Sequence, residues 1–531
     1  MEQEVRRFIE EHVGVVQPLA HRLELAQWEV ATTGSSEANR ESARLRAELR
    51  RIYADQAAYE RVRAWREAGP LGDPLLDRQL TLLYLAYQAG QQDAETIERV
   101  TALEAEVEEI YTNFRAVYRG ERVSDNDLER VLATETDSAA VREAWEASKE
   151  VGRQVADRVL EIVALRNAAA RRMGYPSYYQ RSLSAQEIDE ARLFEILDEL
   201  ERLTRDPFRR AKADLDAELA QRFGVEVEQL RPWHYGDRFF QNPPPLRAVD
   251  VDALFQGKDL EALAVRTFDG MGMDVRDILA RSDLYARPGK NQHAFCTHID
   301  RSGDVRILCN LQPTARWMDT LLHELGHGVY DKYLDMSLPY LLREPAHILS
   351  TEAIAILMGR LATSPAWLVQ VAGVPAAEVA RIAPALERRE QLAELIFVRW
   401  MLVMTHFERA MYADPRQDLN ALWWDLVERF QLLRRPEGRH APDWAAKIHL
   451  ALFPVYYHNY QLGALASWQL QTVIEERFGG LVDRPEAGSY LREAYFRLGA
   501  RHDWDETLRL ATGARLSPAY FARRLANGLA A

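Results

Sequence analysis

The chain has 531 residues, with 67 Lys and Arg against 81 Asp and Glu, and its net charge of −14 is spread along the length with no acidic or basic tail. That length can bury a large core and admits more than one domain, while the interspersed acidic balance argues against a nucleic-acid partner. Two cysteines, Cys296 and Cys309, cannot build a disulfide framework, no apolar run approaches the length of a membrane span, and the start Met1 to Arg7 lacks a signal peptide's apolar stretch. Cytoplasmic residence, with no membrane partner, is the expectation.

Apolar residues at three-and-four spacing predict amphipathic helices over 2–29, 36–68, 94–119 and 139–173. Breaks are predicted at Gly69-Pro70, Gly72-Asp73-Pro74 and Gly174-Tyr175-Pro176, none long enough for a flexible interdomain linker. The one stretch read as non-helical runs from His293 to Asn310, a β-hairpin turning at Ser302-Gly303. A two-residue turn there sets Cys296 opposite Cys309, and a reducing compartment would keep both as thiols.

Next comes Leu321-Leu322-His323-Glu324-Leu325-Gly326-His327-Gly328. With 13 His and 81 acidic residues in the chain, chance gives roughly 0.05 occurrences of such a His-Glu-x-x-His pattern. On a helix it sets two imidazoles one turn apart, both able to reach a zinc ion at about 2.1 Å, with a carboxylate beside them. A third histidine six residues further on is ruled out, because position 333 is Tyr. The following helix is predicted to start at Glu344-Pro345, and on it Glu352 shares an apolar face with Ile348 and Ile356. A lone carboxylate there needs a cation, which makes Glu352 the third ligand. His347, about 140° away on the same helix, reads as a supporting or surface residue. Gly326 and Gly328 each cost about 1 kcal/mol in a helix and predict close packing of another helix or of substrate against the metal. Three protein ligands leave a fourth position for water, with Glu324 as general base, and activity is expected to fall below about pH 6 as protons compete for the imidazoles.

These segments resemble the gluzincin peptidases around angiotensin-converting enzyme and, more distantly, the thimet oligopeptidase and oligoendopeptidase families. The likeness rests on 342–354, on Gly289-Lys290-Asn291-Gln292-His293-Ala294, on Ala446-Lys447-Ile448-His449, and on Pro454 to Tyr460. Weaker matches extend it from Ala26-Gln27-Trp28 to Thr512-Gly513. The resemblance implies a mainly α, two-lobed zinc peptidase spanning 1–531 as one unit, with a deep cleft and a small antiparallel sheet at its edge. It implies one zinc per chain on His323, His327 and Glu352, and short peptides as substrates. It further implies that His293 and Ala294 belong to a strand holding substrate extended, that Lys447 and Tyr457 hold its C-terminal carboxylate, that His449 bonds the peptide, and that Tyr460 donates to the oxyanion. Tyr456 is the other candidate for the carboxylate, since the interval from His449 is one residue longer than in converting enzymes. Asn459 stands where those enzymes carry a chloride-site Arg, Ile356 replaces an acidic partner of the ligands, and no Gln of the carboxylate pocket is placed. Release of C-terminal dipeptides is the favoured activity; cleavage inside short peptides, or a zinc-stabilised scaffold that binds peptides without cutting them, are the alternatives. Oligomeric state is not read from the sequence.

Overall fold

A computed structural model describes residues 1–91, 93–244 and 250–528. Among the described residues the fold is mainly α, with 70% helix and only two small antiparallel sheets, as the helical periodicity predicts. Side-chain caps set the helix starts: Asp137, Asp189 and Thr314 accept the N–H groups of Ala139, Arg192 and Trp317, satisfying donors that have no partner within the helix. Gly34 and Gly224 end two long helices in the left-handed conformation.

Three predicted helix boundaries are corrected. The stretch 36–68 is two helices, Ser36–Tyr53 and Gln56–Glu67, because Asp55 caps a fresh start by accepting from Ala58. The helix from Ala94 stops at Asn113, and strands β1 (Ala116–Tyr118) and β2 (Glu121–Val123) follow. Arg119 and Gly120 both have positive φ, 51° and 79°, so the twist of this two-residue turn suits a hairpin. The helix expected from Glu344 begins at Ile348 instead, since His347 lies outside it as the N-cap and its Nδ1 accepts from Leu349 N at 3.1 Å.

The second hairpin pairs β3 (Phe295–His298) with β4 (Val305–Leu308), with Cys296 opposite Ile307. The predicted turn at Ser302-Gly303 is therefore one residue late, and the cysteines do not face each other. The loop is longer than two residues because the Asp300 carboxylate accepts from both Ser302 N and Asp304 N, and Ile299 N bonds Asp304 O. Both cysteines are free thiols.

The chain divides into two compact units: Met1–Gln91 with Asp250–Ala383 and Leu462–Tyr520, and Gln92–Val249 with Pro384–Gln461 and Phe521–Ala531. In the first, a core cluster joins Val5, Phe8 and Ile9 to Leu76, Leu80 and Leu83. In the second, Trp145, Ile162, Leu197 and Phe208 are almost wholly buried. Among the described residues no helix is long and apolar enough to cross a membrane.

Candidate metal centre

The His-Glu-x-x-His segment lies within the helix Ala315–Lys332, and Glu352 lies on Ile348–Gly359. Glycine sets how closely the two helices pack. A Cβ on Gly326 would sit 2.7 Å from Ala355 Cα, whereas one on Gly328 would meet the Ile278 side chain at 3.3 Å. The expected close packing is thus against protein, a helix on one side and a side chain on the other. A Cβ on Gly463 would likewise lie 3.1 Å from that of Glu352.

One ligand atom each from His323, His327 and Glu352 lies within 4.8 Å of the others. Glu352 Oε2 is 3.8 Å from His323 Nε2, and Oε1 is 3.9 Å from His327 Nε2. Those separations are too long for hydrogen bonds and right for three donors around one ion. Burial lowers the His323 and His327 pKa values to about 4 and about 3, the second also through His323, so both imidazoles are neutral at pH 7. Burial raises Glu352 to about 6, and burial with Glu352 nearby raises Glu324 to about 8. Two crowded carboxyls and two neutral imidazoles, all poorly hydrated, are what a divalent cation would relieve; the donor set fits zinc.

Thr351 was not anticipated. Its Oγ1 lies 2.7 Å from His327 Nδ1, and with Nε2 left for a metal, Nδ1 carries the proton and donates to that hydroxyl. Thr351 does the orienting for which Ile356 has no polar atom. Its position beside Glu352 in the sequence is the one signal that could have pointed to it.

A cavity of about 750 Å³ opens over these groups, lined by Ala294, Cys296, Glu324, Arg301, Asp331 and Tyr340 among others. Strand β3 contributes the whole of Phe295–His298 to its wall. Among the described residues β3 pairs with β4 alone, while the far side of β4 is bridged by Asp283. An unpaired strand edge therefore borders the candidate ligands, and such an edge can pair with an extended chain. Ala294 lines the cavity; His293 is exposed and does not.

The other four predicted residues lie in the second unit. Lys447 Nζ donates to Gln241 Oε1 at 2.9 Å and sits 5.4–5.5 Å from the rings of Phe239, Trp400 and Tyr457. Burial lowers its pKa to about 8. Tyr457 shares this cluster, and its hydroxyl accepts from Trp400 Nε1 at 2.7 Å. Gln241 is an amide that the sequence did not single out. It follows a loop in which the Asp237 carboxylate accepts from Phe239, Gln241 and Asn242 N–H groups. His449 stacks edge-on to Tyr457 at 5.1 Å, with Nδ1 buried and unpartnered among the described residues, and Tyr460 lies 5.4 Å from Tyr457. Asn459, buried, bonds Gln186 Oε1 at 2.8 Å.

A mainly helical fold brings the paired histidines and a glutamate together beside a carboxylate of raised pKa, a donor set able to hold a metal ion. Comparison with protein families agrees: the model for peptidase family M3 matches residues 272–527, and that for angiotensin-converting enzyme matches residues 1–224. Each model covers less than half of the chain, and both families are zinc metallopeptidases, so the chain is similar to these peptidases in its two parts. All ten predicted site residues fall in the M3 match. No curated protein matches the chain.

Proposed function

We propose that this protein hydrolyses short peptides and releases C-terminal dipeptides. The convergence of His323, His327 and Glu352 on one point carries the reading. Zinc held by these three would polarise the scissile carbonyl and acidify a water toward neutral pH. The β3 edge, entered through His293 and Ala294, holds the peptide main chain extended. Glu324 takes the proton from the attacking water and passes it to the leaving amine, a role its raised pKa suits at neutral pH. Tyr460 donates to the developing oxyanion, His449 bonds the peptide, and Lys447 with Tyr457 holds the terminal carboxylate. The cluster of Lys447, Gln241 and Tyr457 supports that specificity.

Replacing Glu324 by Gln tests the chemistry. Zinc is expected to stay at one per chain while peptide turnover falls by roughly 10²–10⁴-fold. Unchanged turnover with zinc retained would overturn the assigned base, and a wild-type protein that binds peptides without cutting them would be a scaffold.

A further inference from the structure

The second unit contains a cavity of about 190 Å³ whose lining includes Arg205, Arg209, Arg399 and Arg429 with a single carboxylate, Glu201. Three positive charges stand in excess there, in a chain whose net charge is −14. The cavity borders the helices Glu190–Phe223, Ala376–Ala413 and Leu419–Gln431, and Phe208 and Phe430 add apolar walls.

Glu201 is already committed. It accepts from Arg205 Nε at 2.9 Å and from Arg399 Nη1 at 3.3 Å. Among the described residues Arg209 has only Asp206, 3.8 Å away with both side chains more than half exposed, a pair worth little in water. Arg429 reaches no carboxylate within ion-pair distance among the described residues and lies 4.7 Å over the Phe430 ring. Its place in the last turn of its helix favours a cation and accounts for one of the four.

Arg399 is the telling member. It is 2% exposed, its Nη2 donates to Thr204 Oγ1 at 2.6 Å, and its Nε is buried with no hydrogen-bond partner among the described residues. Burial, together with Arg205 and Arg209, lowers its pKa to about 10 even though Glu201 opposes the change. A buried cation with an open N–H among like charges is costly, and an anion relieves both faults at once.

We infer that this cavity binds the phosphate groups of a small molecule. Guanidinium forks match the oxygen pairs of phosphate, and several forks around one point suit an ion with many acceptors better than a monatomic one. The volume equals roughly six waters, room for a phosphate or diphosphate but not for a larger body. The source is either the free ion or a phosphate ester whose remainder stays outside.

Calorimetric titration of the full-length, zinc-loaded protein at constant ionic strength tests this, with inorganic phosphate, diphosphate, ADP and chloride as separate titrants. The double variant Arg209→Gln/Arg429→Gln is titrated beside the wild type; both side chains are at the surface, so unfolding temperature and peptide turnover without ligand should be unchanged. Saturable diphosphate or ADP binding with Kd below about 1 mM, weakened about tenfold or more in the variant, is expected. Tighter ADP than diphosphate identifies an ester as the source, and the reverse identifies the free ion. Binding no stronger than that of chloride, or equal binding in the variant as a phosphate held at the zinc centre would give, overturns the assignment.

Discussion

Thr351 Oγ1 and His327 Nδ1 lie 2.7 Å apart, so the ring that offers Nε2 to a metal is held from behind by a hydroxyl rather than a carboxylate. Thr351→Val keeps the shape and removes the acceptor. Zinc affinity, measured by competition with a chelator, should fall about 10–100-fold, while Thr351→Ser should restore most of it. No change in the valine variant would show that packing alone orients the ring.

Zinc binding should weaken in acid because of Glu352 rather than the histidines. The carboxyl sits at about 6 and the imidazoles at about 4 and about 3 in the metal-free protein. A ligand must be deprotonated to bind, so above pH 6 the set is ready, and below it a proton on Glu352 competes. Apparent zinc affinity should drop about tenfold per pH unit from pH 6 to pH 4 and more steeply beyond. A zinc affinity that holds constant between pH 7 and pH 4.5 would contradict this.

Lys447 should discriminate between a peptide and its C-terminal amide. Lys447→Met is expected to lower kcat/KM on the free acid by roughly 10–150-fold, the worth of a charged hydrogen bond, and to leave the amide nearly unaffected. Equal wild-type rates on acid and amide would sink carboxylate capture and favour cleavage inside the peptide.

Gly326 and Gly328 should respond in opposite ways to alanine. A Cβ at Gly326 runs into the Ala355 backbone at 2.7 Å, whereas at Gly328 it meets the movable end of Ile278 at 3.3 Å. Gly326→Ala should cost roughly 1–3 kcal/mol and weaken zinc binding by shifting Glu352; Gly328→Ala should lie between neutral and about 1 kcal/mol more stable. Thermal unfolding of both variants, metal-free and zinc-loaded, checks the pair.

The sequence by itself determined what is local. A helix repeat puts His323, Glu324 and His327 where one turn requires them, an apolar stripe exposes Glu352 as a carboxylate in want of a cation, and the long helices follow from periodicity. Boundaries failed where one side chain outbid the pattern: Asp55 restarting a helix, His347 capping one late, and Asp300 lengthening the hairpin loop and shifting the register from the expected Cys296–Cys309 pairing. Tertiary structure alone decided what depends on packing between distant segments. Gln241 meets Lys447 across 206 positions, Thr351 meets His327 because Gly326 lets two helices close, and Glu201 is shared by arginines from two helices. Pairings of that kind leave no periodic trace, since each residue is an ordinary polar side chain until the chain's other segments fix its neighbours.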